Sequence, residues 1–140
     1  MANTILLKGR GTRVEAVAAG AITPGHLVTR DSTGKLVVNN VPALAHPRIV
    51  AVENDLEGKE IGDAYAANDY VQAEHLYAGC EFLGFLIAGA AAVVTGDILE
   101  AGGAGGLRKQ ATTGIGQYQA LESIDNSAGG TQVRIKVAIL

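Results

Sequence analysis

Ser32 and Lys35 have the spacing of a serine nucleophile and its activating lysine, because residues 32–35 match the S-x-x-K motif. In that chemistry the serine opens a helix, and the lysine reaches its hydroxyl from one turn later. Here Gly34 lies between the two residues, in a segment that is typical of a hairpin turn. The accompanying S-D-N and K-T-G motifs are absent from the sequence. We therefore expect a turn at this position and no nucleophile.

The glycine run from Gly102 to Gly106 is the second candidate, because backbone N–H groups in such a run can cradle a phosphate. A P-loop ends in a lysine followed by serine or threonine, whereas Leu107 follows this run. A dinucleotide site needs an apolar helix after the glycines, and residues 108–113 are too polar to form one. The run therefore predicts a flexible, exposed hairpin tip.

The residue types that bind metals are scattered along the chain. His26, His46 and His75 each lack a second histidine or cysteine at ligand spacing. Cys80 is the single cysteine, which excludes an internal disulfide and a zinc ribbon, and its apolar neighbours favour burial. Five carboxylates share one loop without the spacing of a calcium loop, namely Glu53, Asp55, Glu57, Glu60 and Asp63. The sequence therefore predicts no catalytic residues, no cofactor and no metal, in a protein that is not an enzyme.

The composition is that of one folded domain. The chain has 140 residues, of which 48% are hydrophobic and 18% charged, whereas disordered chains are poor in aliphatic residues and rich in charge. Its net charge of −3 argues against a nucleic-acid partner, which needs a basic surface. The longest apolar run, Phe82 to Val94, is interrupted by Gly84 and Gly89 and is too short for a membrane-spanning helix. We expect no nucleic-acid or membrane partner.

Short β-strands separated by glycine turns are the main structural signal. Glycines recur at intervals that are often close to ten residues, which is typical of a β-sandwich or β-barrel. In the last strand Val133, Ile135, Val137 and Ile139 alternate with more polar positions, so that one face is buried. Residues 81–87 are almost wholly apolar, and their length and flanking glycines favour a strand over a short helix. Weaker strand candidates are residues 13–18, 48–53, 70–74 and 117–122.

An internal repeat becomes visible when the chain is aligned with itself at an offset of half its length. Gly25 then matches Gly96, and Leu36 matches Leu107. We interpret this as two diverged copies of one β-rich unit, with chance similarity as the alternative. The predicted fold class is therefore all-β, a small single-domain barrel or sandwich built from two related β-rich halves with short strands and Gly turns. The predicted bounds are an N-terminal arm at residues 1–13 and a single domain at 14–140, with the repeat at about 14–74 and 85–138.

Turn chemistry supports the repeat. Pro24 and Gly25 suit the two central positions of a type II turn, the second of which requires a positive φ. The second copy keeps this glycine as Gly96. Downstream, Gly34 and Gly105 lie where a hairpin favours a left-handed residue. Each copy is therefore predicted to run as strand, type II turn, short strand, Gly loop and short strand.

Both copies contain a recognisable sequence motif. The first reads A-I-T-P-G-H-L-V at residues 21–28, followed by the turn at Gly34 and the apolar residues 36–38. The second reads G-D-x-L-x-x-x-x-x-G-x-L from Gly96 to Leu107. This pattern resembles the small head decoration, or cement, proteins of tailed bacteriophages. The resemblance extends over most of residues 14–138.

The resemblance implies a structural virion protein with a β-rich fold. Such a protein binds the exterior of an expanded capsid and stabilises the shell by bridging subunits of the major capsid protein. It is made in the host bacterial cytoplasm and assembles with itself, with a homotrimer as the first expectation and a dimer as the second. The interpretation of the residue patterns is compatible with this, because it predicts a β domain with glycine turns and no set of catalytic residues.

Two other functions stay open at this point. A lipoyl or biotinyl carrier is also built from two similar β halves, but it needs a lysine at an exposed hairpin tip between them. Lys59 is the nearest candidate, and its neighbours Glu57, Gly58 and Glu60 do not fit the usual setting. The other alternative is a different small β-barrel binding module, or an enzyme on such a barrel, for which no convergent polar groups are found.

Two apolar regions are candidate contact sites with the capsid or between subunits. The run that begins at Phe82 exceeds what alternating barrel strands need, and contiguous apolar surface usually marks an interface. The N-terminal arm combines three apolar residues with basic ones that suit an acidic surface. It forms either an edge strand on its own domain or a strand added to a neighbour. The candidate contact residues are Thr4, Ile5, Leu6, Leu7, Lys8, Arg10, Arg13, Phe82, Phe85 and Leu86.

Overall fold

A computed structural model describes residues 3–111 and 114–140. In these residues the chain forms eleven short β-strands and one turn of 3-10 helix at Asp55–Glu57, which confirms the all-β prediction. No helix in the described part is long and apolar enough to cross a bilayer. The strands are β1 (Leu6–Lys8), β2 (Thr12–Val17), β3 (Leu27–Arg30), β4 (Leu36–Val38), β5 (Ile49–Ala51), β6 (Tyr70–His75), β7 (Glu81–Leu86), β8 (Ile98–Gly103), β9 (Gly106–Lys109), β10 (Tyr118–Ala120) and β11 (Val133–Ile139).

The second half of the chain forms a closed five-stranded barrel, which we call the C-terminal barrel. Its strands follow the order β7-β11-β10-β8-β9, and neighbours in this order are antiparallel. The barrel closes through a parallel pair between β7 and β9, where Leu86 lies opposite Leu107. β1 joins the same sheet by pairing with the start of β7, with Leu6 opposite Phe82. The N-terminal segment is thus an edge strand on its own domain.

The first half forms a five-stranded sheet with the same topology, which we call the N-terminal sheet. Its strands follow the order β2-β6-β5-β3-β4, so each strand has a counterpart at the same place in the C-terminal barrel. An isolated parallel bridge between Ala18 and Leu36 lies where the barrel has its closing pair. The prediction of two related β-rich halves is confirmed by this shared strand order.

The predicted glycine turns lie at equivalent places in the two halves. Gly25 and Gly96 have φ values of 99° and 96°, which is the left-handed backbone that favours glycine. Each donates its N–H across the sheet at 2.8 Å, Gly25 to the carbonyl of Ala51 and Gly96 to that of Ala120. The turn therefore fixes the path into the second strand of each half by the same backbone contact.

The two halves pack together because β3 and β5 of the N-terminal sheet carry buried side chains on both faces. Val28 and Ile49 point into a small apolar cluster within the N-terminal sheet. Their neighbours Leu27 and Val50 point the opposite way and belong to the core of the C-terminal barrel, as the alternation of side chains along a strand requires. The strands β3 and β5 thus form a shared wall between the two cores.

The part of the apolar run that lies in β7 supplies core rather than surface, whereas Val94 at the end of the run is 55% exposed. Phe82 and Leu86 are fully buried, and Ile5 of the N-terminal segment is buried beside them. Phe85 is half-buried, with the guanidinium of Arg134 over its ring at 4.1 Å from the centroid. β7 is a strand, and most of its residues are buried because β1, β9 and β11 pair with it and the N-terminal sheet packs on the core. The side chains of Phe82 and Leu86 therefore offer no exposed surface to a partner.

Candidate functional site

The segment that carries the S-x-x-K spacing forms the turn between β3 and β4. Asp31 caps this turn, since its Oδ1 accepts hydrogen bonds from the N–H groups of Thr33 at 2.8 Å and Lys35 at 3.0 Å. The hydroxyl of Thr33 also donates to this oxygen, which lowers the pKa of Asp31 below its usual value. The polar groups of the segment thus stabilise a hairpin turn, as the sequence predicts.

The glycine run forms the hairpin between β8 and β9, and it is bonded to the N-terminal sheet rather than free. The N–H of Ala104 donates to Oδ1 of Asn40 at 3.0 Å, and the N–H of Gly105 donates to the carbonyl of Asn39 at 2.9 Å. The carbonyl of Gly105 accepts a hydrogen bond from Leu27 in β3 at 2.9 Å. The predicted hairpin is therefore present with Ala104 exposed at its tip, but the expectation of exposure is wrong for Gly105 and Gly106, which are buried. The positive φ of this segment lets the hairpin dock the two halves together.

The histidines lie in separate structural settings. The Nε2 atom of His26 lies 3.0 Å from Oε1 of Gln132, and burial lowers the pKa of His26. The Nε2 atom of His46 lies 2.7 Å from the hydroxyl of Tyr118, and burial lowers its pKa as well. Among residues 3–111 and 114–140, no three His, Cys, Asp or Glu side chains come close enough to hold a metal ion together.

One buried acid was missed by the sequence reasoning. Glu100 is fully buried in β8, and its Oε1 accepts hydrogen bonds from Nε of Arg108 at 3.0 Å and from the N–H of Ala111 at 3.1 Å. It therefore joins the β8–β9 pair to the segment that follows β9. Its only sequence signal is an acid at an inward-facing strand position, and that signal appears only once the register is known.

Four exposed apolar side chains form a surface that we call the loop patch: Val41, Leu44, Ile115 and Leu140. Their exposed fractions lie between 44% and 57%. They come from the loop after β4, the loop before β10 and the end of the chain. Exposed apolar side chains grouped on neighbouring segments are typical of a site that contacts another molecule.

Hydrogen bonds hold the loop patch against the C-terminal barrel. Ala43 donates its N–H to the carbonyl of Ala101 at 2.9 Å, and its carbonyl accepts from Ile115 at 3.0 Å. The amide side chain of Gln117 brackets the backbone of His46, accepting from its N–H at 3.3 Å and donating to its carbonyl at 3.2 Å. The carbonyl of Gln117 also accepts from the N–H of residue 140 at 3.0 Å. The patch is therefore presented on anchored backbone.

The basic residues predicted for the N-terminal contact lie on the surface but are engaged within the chain. Lys8 lies 3.8 Å from Glu81, and Arg10 lies 3.5 Å from Glu74. Arg13 donates from Nη1 to Gln72 at 2.8 Å. The remaining candidates divide by burial into exposed Thr4, half-buried Leu6, Leu7 and Phe85, and fully buried Ile5, Phe82 and Leu86.

A groove of about 370 Å³ lies between the 3-10 turn and the β2–β6 pair. Asn54 and Gln72 in its wall bond to each other at 3.0 Å, and the hydroxyl of Tyr65 donates to the carbonyl of Val52 at 2.7 Å. These polar groups therefore bind the wall together rather than converge on a ligand.

Comparison of the sequence with protein-family models and with curated proteins found no match. The loop patch was not among the residues that the sequence reasoning selected. Val41 and Leu44 lie in an irregular loop, where no periodicity indicates which apolar residue faces solvent.

Proposed function

We propose that this chain is a structural virion protein, located on the capsid exterior, that stabilises a tailed-phage shell by bridging its major capsid protein subunits. The proposal is supported by the resemblance of the repeated turn-and-strand pattern to phage head decoration proteins. In this role the chain has no catalytic function and needs no cofactor. It is made in the host cytoplasm and acts by contact alone.

The observation that carries the proposal is the loop patch. Val41, Leu44, Ile115 and Leu140 expose apolar area on hydrogen-bonded backbone, which suits a contact with another protein. Leu44 is the most exposed of the four at 57%, so it is the residue that a shell contact would cover most fully.

The N-terminal segment is the second part of the proposed contact. Thr4 is exposed just before β1, and the exposed basic side chains of Lys8 and Arg10 at the end of β1 and in the turn after it suit an acidic area of the shell. Their neighbours Leu6 and Leu7 are only half-buried. Since β1 is already paired with β7, this contact would use side chains rather than a free arm.

Self-association belongs to the same proposal, with a trimer as the first expectation and a dimer as the second. Bridging is more effective when one decorating unit contacts several capsid subunits, because linked contacts raise the effective concentration of each.

The decisive experiment mixes purified protein with heads that lack it and measures co-sedimentation. The wild-type protein is expected to bind, and Leu44→Asp is expected to bind at least about tenfold more weakly, since burying one leucine contributes ~1.5–3 kcal/mol. Leu56→Asp is the matched control, because Leu56 is 82% exposed on the 3-10 turn, away from the loop patch.

The outcomes separate the function from the site. If wild-type protein does not bind such heads, the virion proposal is wrong. If Leu44→Asp and Leu56→Asp both bind like the wild type, the protein decorates heads through another surface. Thermal release of DNA from decorated and undecorated heads then measures whether binding stabilises the shell.

A further inference from the structure

The outer edge of β2 has no strand partner in the described part of the chain, where β2 pairs only with β6. Just after β2, the N–H of Ala19 donates to Leu36 on the outer side of the strand. Backbone groups alternate between the two sides of a strand, so Arg13, Glu15 and Val17 also direct their N–H and C=O groups outward. These groups are an available hydrogen-bonding edge, because Arg13 and Glu15 are exposed.

The shared topology of the two halves identifies the equivalent edge on β7. The bridge between Ala18 and Leu36 corresponds to the pair between Leu86 and Leu107, so the end of β2 corresponds to the end of β7. The next pairs agree, because β2 and β7 run antiparallel to β6 and β11 in the same relative register.

On β7 this edge carries a strand. Counting back from the closing pair places Glu15 of β2 at the position of Leu83 in β7. The N–H of Leu83 donates to the carbonyl of Ile5 at 2.8 Å, and Lys8 of β1 lies opposite Glu81. β1 therefore occupies on β7 the position that is vacant on β2 beside residues 13–15. The fold accepts an added strand at this position in one half and presents the same edge uncovered in the other.

We propose that the β2 edge binds the β2 edge of a second copy of this chain, antiparallel about a two-fold axis through Val14. In this register Arg13 of each copy lies opposite Glu15 of the other. Both residues direct their backbone groups outward, so each of the two pairs exchanges two main-chain hydrogen bonds. The two five-stranded sheets then join across the axis.

Charge complementarity selects a second copy as the occupant. Arg13 and Glu15 point to the same face of β2, and the two-fold places opposite charges across from each other twice, at the separation where cross-strand pairs interact. Charges on an exposed edge usually prevent pairing. Here the pattern is self-complementary about Val14, so this register pairs opposite charges, whereas placing the two Glu15 residues opposite each other would oppose like charges.

The opposite face of β2 adds an apolar contact. Val14 and Ala16 are only partly buried, although they pack against the cluster inside the N-terminal sheet. At the two-fold axis the Val14 side chains of the two copies meet in a close, non-hydrogen-bonded pair. Pairing therefore covers apolar surface that the isolated chain leaves half-exposed. Because this contact has two-fold symmetry, it predicts a dimer, which is the second of the two oligomeric states expected above.

The test measures the mass of the full-length protein by sedimentation equilibrium across a concentration series. The wild type is expected to dimerise. Arg13→Glu opposes glutamates across the axis and Glu15→Arg opposes arginines, so each variant alone is expected to dimerise at least about tenfold more weakly. An equimolar mixture of these two variants restores both opposite-charge pairs and is expected to form a heterodimer. The double swap, Arg13→Glu with Glu15→Arg, is expected to dimerise like the wild type.

Glu15→Pro is an independent backbone variant. It removes an outward N–H without touching the bonds between β2 and β6, so the fold is retained while strand pairing is lost. Circular dichroism checks that each variant is folded.

Three results would overturn the proposal: a monomer at all concentrations up to about 1 mM, a trimer, or single variants that dimerise like the wild type. An extended segment of another protein on the same edge would give monomers here and binding only in that partner's presence. Self-association is measured without heads, so this test and the head-binding test fail independently.

Discussion

The two halves of the chain share their strand order but fill it with side chains of different size. In the C-terminal barrel, Phe82 and Tyr118 pack edge to face with ring centroids 5.9 Å apart. The corresponding positions in the N-terminal sheet are Val14 and Ile49, by the shared register of the strands. The comparison teaches that the turn glycines and strand pairings define this unit, whereas the volume of its interior varies.

The second difference between the halves is what covers the outer edge of the first strand, which is β2 in one half and β7 in the other. The outer edge of β7 is covered by β1 at its start and by β9 at its end, whereas in the described part of the chain the outer edge of β2 is followed only by the isolated bridge between Ala18 and Leu36. Stability is therefore expected to concentrate in the C-terminal barrel, which also contains most of the large buried side chains. The following variants test this asymmetry, from the largest expected effect to the smallest.

Phe82→Ala and Val14→Ala truncate corresponding positions. Phe82→Ala is expected to lower the free energy of unfolding by about 3–5 kcal/mol, because it leaves a cavity beside Tyr118 in a fully buried core. Val14→Ala is expected to cost about 1 kcal/mol or less, since Val14 is only partly buried. Urea unfolding of both variants provides the comparison. Equal losses would mean that the two halves contribute alike, contrary to the asymmetry described above.

Ile5→Ala tests whether β1 is part of the fold. Ile5 is fully buried, so its truncation is expected to cost about 2–4 kcal/mol in the same assay. Leu7→Ala, at a half-buried position of β1 two residues later, is the control and is expected to cost about 1 kcal/mol. If Ile5→Ala unfolded like the wild type while head binding fell, the segment would act as a separate arm and not as an edge strand.

The strands and turns of this fold could be predicted because their signals are local. Val133 to Ile139 alternate at the spacing of a strand, and Gly25 and Gly96 mark equivalent turns that the structure contains. Burial of Cys80 followed from its apolar neighbours and is found.

Positions that depend on contacts between distant residues could not be predicted. The apolar run that begins at Phe82 was predicted to form surplus apolar surface. Nothing local in the sequence indicates that β3 and β5 of the N-terminal sheet have a second buried face that packs on the same core. No local spacing indicates that His26 lies against Phe85, yet their ring centroids are 4.9 Å apart. The loop patch depends on the bonds between Ala43 and its distant partners, which no spacing in the sequence encodes.

Gly25→Ala and Gly96→Ala compare the same turn in the two halves. Both substitutions place a Cβ on a left-handed backbone, which costs about 1–2 kcal/mol. At Gly25 the added Cβ also lies 2.8 Å from the carbonyl oxygen of Leu83, whereas at Gly96 no neighbouring atom lies within 4 Å in the described part of the chain. We expect Gly25→Ala to be the more destabilising by about 1 kcal/mol or more in urea unfolding. Equal effects would show that the contact between halves relaxes freely at this point.

His26 and Asp97 cap these two turns. Because the two side chains titrate in different pH ranges, the pH dependence of stability distinguishes the turn of one half from the turn of the other. The N–H of Thr23 donates to Nδ1 of His26 at 3.1 Å, and the N–H of Val94 donates to Asp97 at 3.0 Å. Burial lowers the pKa of His26 below 6.5, so the unfolded chain binds the proton more readily. Stability is therefore lost as the pH falls below about 6.5. The hydrogen bond from Val94 lowers the pKa of Asp97 below 3.8, so its contribution persists until the pH falls through that range.

Between pH 7.5 and pH 5 the wild type should therefore lose stability through His26 and not through Asp97. His46, whose pKa burial also lowers, contributes in the same direction. His26→Asn keeps an acceptor for Thr23 without a proton to take up in this range, so its urea midpoint should fall less steeply over the same pH interval. His46→Asn is the matched variant, and combining the two should flatten the profile further. If the urea midpoint of His26→Asn fell with pH as steeply as that of the wild type, the folded turn would accept the protonated imidazole as readily as water does. The proposed difference between the His26 and Asp97 caps would then be wrong.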